Sequence, residues 1–297
     1  MSLDEARDRI NLLRHFDYSL KLFENNYQEL LSVIDFLCDE KVGLELFSVI
    51  NRWKLNEVLF HLGFKLHNYV CAAKSLIDHA RVLYRRVYEE KVLKFKDYEE
   101  EVRARFEKDA LSKFVEFLRS YCQHEKLPFI NASMEFDSQS EEGFVFNVYL
   151  DSSELLKSSS IKSLPKSFIK QKGDNINLRN VVNDYHFKVT DFYRWVKIKQ
   201  QEIHNEDFEL LRICFKDEQV RAISNFISSY YDSKGTSSIK EQFYTILSED
   251  NYKELEQYKE NETKWLECAI ELIESNVVLP EGIKADLKAR VNVAVKK

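Results

Sequence analysis

The sequence predicts a predominantly all-α protein: a helical bundle with a small β-hairpin insertion, followed by a second helical domain. Three observations predict it. The 297 residues include six glycines and three prolines, too few for the many turns of an all-β fold or the phosphate loops of a dinucleotide fold. Hydrophobic residues make up 44% and charged residues 32%, enough apolar material for a core and against global disorder. The 21 Phe, 15 Tyr and 3 Trp suit wide helix interfaces. At roughly 150 residues per domain the length favours two domains.

A first helical pattern runs from about Leu3 to Asp39, with a break at Gly43. The next run, about Leu44 to Glu90, contains Leu62, Leu66, Tyr69, Ala73, Leu76, Ala80, Leu83 and Val87. That alternation of four- and three-residue steps is a stripe for burial against other helices. A third helix is expected from about Asp97 to His124. Its first turns are acidic, and Leu111, Phe114, Val115, Leu118, Tyr121 and Cys122 form its buried face. Pro128 disfavours helix at Leu127, so this helix should stop near Glu125.

Phe144, Phe146, Val148 and Leu150 then alternate after Gly143, which reads as a small hairpin. The segment 157–172 holds five lysines and no acid, and with its serines and Pro165 it reads as a basic loop or linker. Helix resumes at Ile176, where Leu178, Val182, Tyr185, Val189, Phe192 and Val196 repeat the four–three spacing. Further helices are expected over about 207–232, 237–247, 252–275 and from 282 onward. The expected domains are residues 1–128, 129–173 (hairpin and linker) and 174–297.

The N-terminus is charged from residue 4 and lacks an apolar signal region, and the apolar stretch Leu30 to Cys38 is too short to span a bilayer. A cytoplasmic protein without membrane association is expected. Cys38, Cys71, Cys122, Cys214 and Cys268 are scattered and odd in number, which reads as buried reduced thiols. No glycine-rich phosphate motif, HExxH or GxSxG is present, and the seven histidines show no repeated metal-ligand spacing. No metal or cofactor is implied.

One constellation carries chemistry. The third helix ends FVEFLRSYCQHEKLPF, placing Arg119 and His124 around four residues on an aromatic helix end. Five residues turn the helix by about 140°, so both side chains can border one groove only at a helix edge. A wholly structural reading stands beside this one: Arg119 pairs with Glu116 or Glu125, and His124 caps its helix.

Arginine followed by histidine at this place resembles the signature of HEPN domains, small four-helix modules of which many resemble metal-independent endoribonucleases. LRSYCQHEKLP resembles the LRNY-x-x-H-x-x-LP turn of uncharacterised bacterial members. NYVCAAKSLIDHARVLYRR (68–86) resembles their preceding long helix, with Asn68, Asp78, His79 and Arg81 as its polar positions. The residue after arginine is often Asn or another strongly polar residue in active members of that family and is Ser120 here. The resemblance implies His124 as acid/base and Arg119 as phosphate clamp, giving 2′,3′-cyclic phosphate and 5′-OH ends. An always-charged fork suits phosphoryl oxygens, and an imidazole suits proton transfer near neutral pH. It further implies a homodimer in which two Arg/His sets share one cleft, and a role in bacterial conflict as a toxin or antiphage factor.

Tyr121 is then a candidate for stacking on a base. Asn68, Ala72, Ser75 and His79 form a polar stripe that is either a layer behind Arg119 or a plain helix–helix contact. The net charge of −6 does not favour RNA, but Arg85 and Arg86, with Lys162, Lys166, Lys170 and Lys172, give local positive surface for it. The alternative functions are a non-catalytic scaffold that binds a protein partner through the C-terminal helices, or a nucleotide-binding module.

Overall fold

Two 36-residue helices dominate the chain. They are α1 (Leu3–Cys38) and α3 (Arg52–Val87), and neither contains a proline. In the computed structural model, which describes residues 2–89, 91, 93–139, 143–232, 247–275, 279, 281–282 and 284–285, all eight apolar positions of the predicted α3 stripe are buried. Gly63 sits inside α3 and does not break it. The break after α1 falls at Asp39, one turn before the expected Gly43. The Asp39 carboxylate accepts the Val42 N–H at 3.0 Å and starts the short α2 (Glu40–Phe47). Gly43 is needed for packing instead: a Cβ there would lie 2.6 Å from the Phe146 ring.

The long helix expected from Asp97 is two pieces. A short α4 (Tyr98–Val102) runs into a π-helical turn, Arg103–Glu107, and α5 (Ala110–His124) starts afresh. Asp109 is the reason, because its carboxylate caps α5 by accepting the Ser112 N–H and hydroxyl at 2.8 and 2.6 Å. Helix α5 ends at His124, where Pro128 predicts.

The hairpin is present as β1 (Ile130–Phe136) and β2 (Phe144–Asp151), antiparallel, pairing Ile130 with Leu150 and Phe136 with Phe144. Gly143 enters β2 at φ +80°. A third strand, β3 (Asn175–Asn177), which the sequence does not announce, pairs antiparallel with β2. A one-turn helix α6 (Ser152–Leu156) follows β2. The basic stretch expected as a loop contains helix α7 (Ser163–Lys172). Pro165 lies in its first turn, where a missing N–H costs nothing. Phe168 and Ile169 are buried, and the Phe168 ring stacks on Phe114 at 4.8 Å.

Helix α8 (Leu178–Ile203) begins after Asn177, whose side chain accepts the Asn180 N–H. Its six predicted apolar positions are all buried. It joins α1 and α3 through a run of rings: Tyr27 lies flat on His186 at 3.6 Å, and Phe23 stacks on His186 at 5.0 Å and on Tyr69 at 5.2 Å. Residues 7–205 therefore form one unit, and the boundaries expected after 128 and 173 fall inside it. The reason is physical: α7 packs on α5 and α8 packs on α1, α3, the α4–π segment and the sheet, so neither face is completed within its own stretch of chain.

Residues 1–6 and 206–297 group as a second unit. Its described helices are α9 (Asn205–Asp232), α10 (Glu249–Glu256) and α11 (Glu262–Glu274). Leu255, Trp265, Leu266, Ala269, Ile270 and Ile273 form its core. The helices expected over 237–247 and from 282 fall almost wholly outside the described residues. Among the described residues no helix is long and apolar enough to cross a membrane. The five cysteines are half-buried and free.

Candidate functional site

Within residues 7–205 a cleft of about 420 Å³ opens where α3, the α4–π segment, α5 and α8 diverge. Three features of the sequence build it. On α3, Lys74, Ile77, Arg81, Tyr84 and Arg85 recur at three- and four-residue spacing and so share one face. On α5, Ser112, Val115, Glu116 and Arg119 do the same. The α4–π segment adds Tyr98, Glu99, Arg103 and Phe106, and the buried rings of Tyr185, Phe192 and Tyr193 on α8 close the floor.

The charge of the cleft is positive although the chain is acidic. Lys74, Arg81, Arg85, Arg103, Lys113 and Arg119 line it against Glu89, Glu99 and Glu116. Some of these charges are paired: Arg103 with Glu99 at 3.1 Å, Lys113 with Glu116 at 3.1 Å, and Lys74 with Asp78 at 2.6 Å. Arg81 reaches the same Asp78 only at 3.6 Å. Arg85 has no ion-pair partner among the described residues. Burial pushes the Tyr98 phenol up to about 12, with Arg81 opposing, and burial also raises Tyr84, Tyr185 and Tyr193. These rings stay neutral and add no negative charge.

Arg119 pairs with neither Glu116 nor Glu125. Its guanidinium donates to Gln123 Oε1 at 2.5 Å, while the Gln123 amide donates to Cys71 Sγ on α3 at 3.2 Å. A neutral amide holds the side chain without neutralising it. The Nε atom is buried and has no hydrogen-bond partner. An arginine with intact charge at the wall of a ring-lined cleft is suited to an anion.

The other expected site residues distribute differently. His124 is exposed at the last position of α5 and is not part of the cleft wall. It makes no hydrogen bond to the helix carbonyls among the described residues. Ser120 is half-buried and also outside the cleft. Tyr121 is 1% exposed, so its ring is core and cannot receive a base. The polar stripe on α3 is not a layer behind Arg119. Asn68 is exposed beside His67, Ala72 is buried, and His79 bonds to Ser19 on α1 at 2.6 Å. Asp78 sits just outside the cleft, binding Lys74. The RVLYRR run divides: Arg81 and Arg85 face the cleft, whereas Arg86 lines a groove against α1. Lys162, Lys166, Lys170 and Lys172 are exposed on or before α7 and none lines the cleft.

Gln123, Lys74, Tyr98, Arg103 and Lys113 were not foreseen. The first pointer available was the 74–77–81–84/85 spacing. The residues contributed by the α4–π segment had no signal, because a π turn breaks the helical period. Among the described residues no group of three or more His, Cys, Asp or Glu could hold a metal ion. No family model matches the chain, and neither a curated protein nor a solved structure matches it.

Proposed function

We propose that the cleft binds a phosphate-bearing aromatic ligand, either a nucleotide or an unpaired nucleotide of RNA. The observation that carries this reading is the wall itself: six cationic side chains against three carboxylates, set among rings, with Arg119 and Arg85 not neutralised by any acid. Guanidinium groups suit phosphate oxygens as paired donors. Tyr84 and Phe106 line the cleft and are half-buried, and a base stacking on the side of Tyr84 away from Tyr98 or on Phe106 would gain about 1–3 kcal/mol. A volume of about 420 Å³ lies in the range of small-molecule sites.

A second reading extends the first to metal-independent RNA cleavage, as the HEPN resemblance implies. It is favoured by His124 standing exposed and unbonded five residues from Arg119. Within one chain this imidazole lies outside the cleft, so the reading requires a homodimer in which His124 of one copy serves a phosphate held by Arg119 of the other. Such an activity is the basis on which a role in bacterial conflict is proposed.

One experiment addresses both. The full chain is mixed with labelled single-stranded RNA in EDTA, and binding and cleavage are followed separately. The expected outcome is binding that weakens in Arg119→Ala and cleavage that disappears in both Arg119→Ala and His124→Ala. Equal background cleavage by wild type and His124→Ala removes the catalytic reading. Binding that is unchanged in Arg119→Ala removes the binding reading as well.

A further inference from the structure

The opposite face of α3 borders a second concavity, a groove of about 440 Å³ against α1. Its walls are mostly apolar, with Leu12 and Leu22 from α1 and Val82 from α3. Two polar residues meet between them: Ser19 Oγ lies 2.6 Å from His79 Nδ1. Both line the groove. Ser19 is 9% exposed and the His79 ring is open to solvent.

Hydrogen-bond accounting fixes the direction of that contact. A hydroxyl inside a helix usually donates to the carbonyl four residues back, as Thr190 does to His186 at 2.9 Å. Ser19 has no such bond, and the imidazole is its one partner. If Nδ1 carried the proton, the serine hydrogen would have no acceptor in a nearly buried site, which is costly. With the ring proton on Nε2, the hydroxyl donates to Nδ1 and the Ser19 hydrogen has a protein acceptor. That is the arrangement of a nucleophile bonded to a general base. Arg86 lines the same groove and has no partner among the described residues.

We propose that Ser19 and His79 form a nucleophile–base pair that hydrolyses carboxylic esters whose short apolar acyl chain sits in the α1–α3 groove. The proposal is independent of the cleft. Ser19 Oγ bonds to the ester carbonyl carbon while its proton passes to His79 Nδ1. The carbonyl–alkoxy bond then breaks, and the departing alcohol takes that proton from Nδ1. Water attacks the acyl-serine with Nδ1 again as base, releasing the carboxylic acid and restoring the Ser19 hydroxyl. The Arg86 guanidinium is the positive group available to the carbonyl oxygen as charge develops on it.

The test uses the full chain with p-nitrophenyl butyrate, reading p-nitrophenolate release and locating the butyryl adduct by peptide mass mapping. The expected result is an adduct on Ser19 and a rate that falls about 100-fold or more in Ser19→Ala and in His79→Gln. Lys166→Ala, on α7 and outside the groove lining, keeps the wild-type rate. Ser19→Cys retains a nucleophile and is expected to form a butyryl thioester at position 19, which guards against a misfolded alanine variant. Three results overturn the proposal: hydrolysis no faster than buffer, adducts confined to lysine or tyrosine side chains, or an unchanged rate in folded Ser19→Ala.

Discussion

The chain presents two basic regions that look alike as sequence and differ as structure. Around α7, Lys162, Lys166, Lys170 and Lys172 project from an exposed helix surface, anchored beneath by Phe168 and Ile169. In the cleft, Arg81, Arg85, Arg103, Lys113 and Arg119 come from three separate segments and converge on one concavity. The lysine run is dense in sequence but exposed to solvent, where each charge is screened. The cleft charges are dispersed from Arg81 to Arg119 in sequence and several of them are exposed, yet they border one ring-lined concavity where an anion meets several at once. Local charge density points to α7, whereas convergence points to the cleft.

The sharpest way to break this comparison is paired substitution. Arg119→Ala should weaken nucleotide or RNA binding about 10- to 100-fold, the size of a lost charged hydrogen bond, whereas Lys166→Ala with Lys170→Ala should change it less than about 2-fold. Fluorescence anisotropy at fixed salt checks both. Equal losses in the two regions erase the distinction.

A smaller effect is expected from the residue that aims Arg119. Gln123→Leu keeps the volume but removes both the acceptor for Arg119 and the donor to Cys71. A loss of about 3- to 10-fold is expected, with the melting temperature unchanged because Gln123 is exposed. The same titrations repeated across salt sharpen the contrast further. Removing one cleft arginine should flatten the salt dependence by about 0.7 of a log unit per log unit of salt. Removing an α7 lysine should leave the slope as it was.

Stability provides the smallest readout. Burial alone raises the Asp109 carboxyl, but the bonds from Lys188 and Ser112 outweigh it and hold the group below its ordinary value. A carboxyl depressed in the folded state stabilises fully above its unfolded pKa and loses that contribution as pH falls through the folded one. Asn caps a helix about as well as Asp, so Asp109→Asn should be less stable at neutral pH by up to about 1 kcal/mol for the lost Lys188 ion pair, and flatter in acid. Thermal melts between neutral pH and pH 3 measure it. No change in the acid slope contradicts the assignment of Asp109 as the tie between α5 and α8.

The fold was legible where burial imposes a period. Leu62 through Val87 on α3 and Leu178 through Val196 on α8 announced themselves because each buries one stripe along many turns. The interruptions were harder to see. Asp109 restarts a helix with a capping bond that composition alone does not distinguish from an exposed acid. Pro165 suggested a loop because its position within the first turn of α7 depends on where that helix begins. The boundary expected after 173 falls inside one unit because α8 packs on α1, far earlier in the chain, where Tyr193 meets Phe16 and His186 meets Phe23 and Tyr27. Arg119, singled out for its place before the Pro128 stop, lines the cleft, whereas the partner assigned to it, His124, lies outside the wall, and Gln123, one position earlier, is the residue that holds it.

The most direct test of the cleft is calorimetric titration of the full chain with a 5′-mononucleotide at low salt, comparing wild type, Arg119→Ala and the Lys166→Ala, Lys170→Ala pair. One site per chain is expected, weakened about 10-fold or more by Arg119→Ala and left in place by the lysine substitutions. A mononucleotide that binds wild type and Arg119→Ala equally, or one whose affinity follows the α7 lysines, contradicts the account.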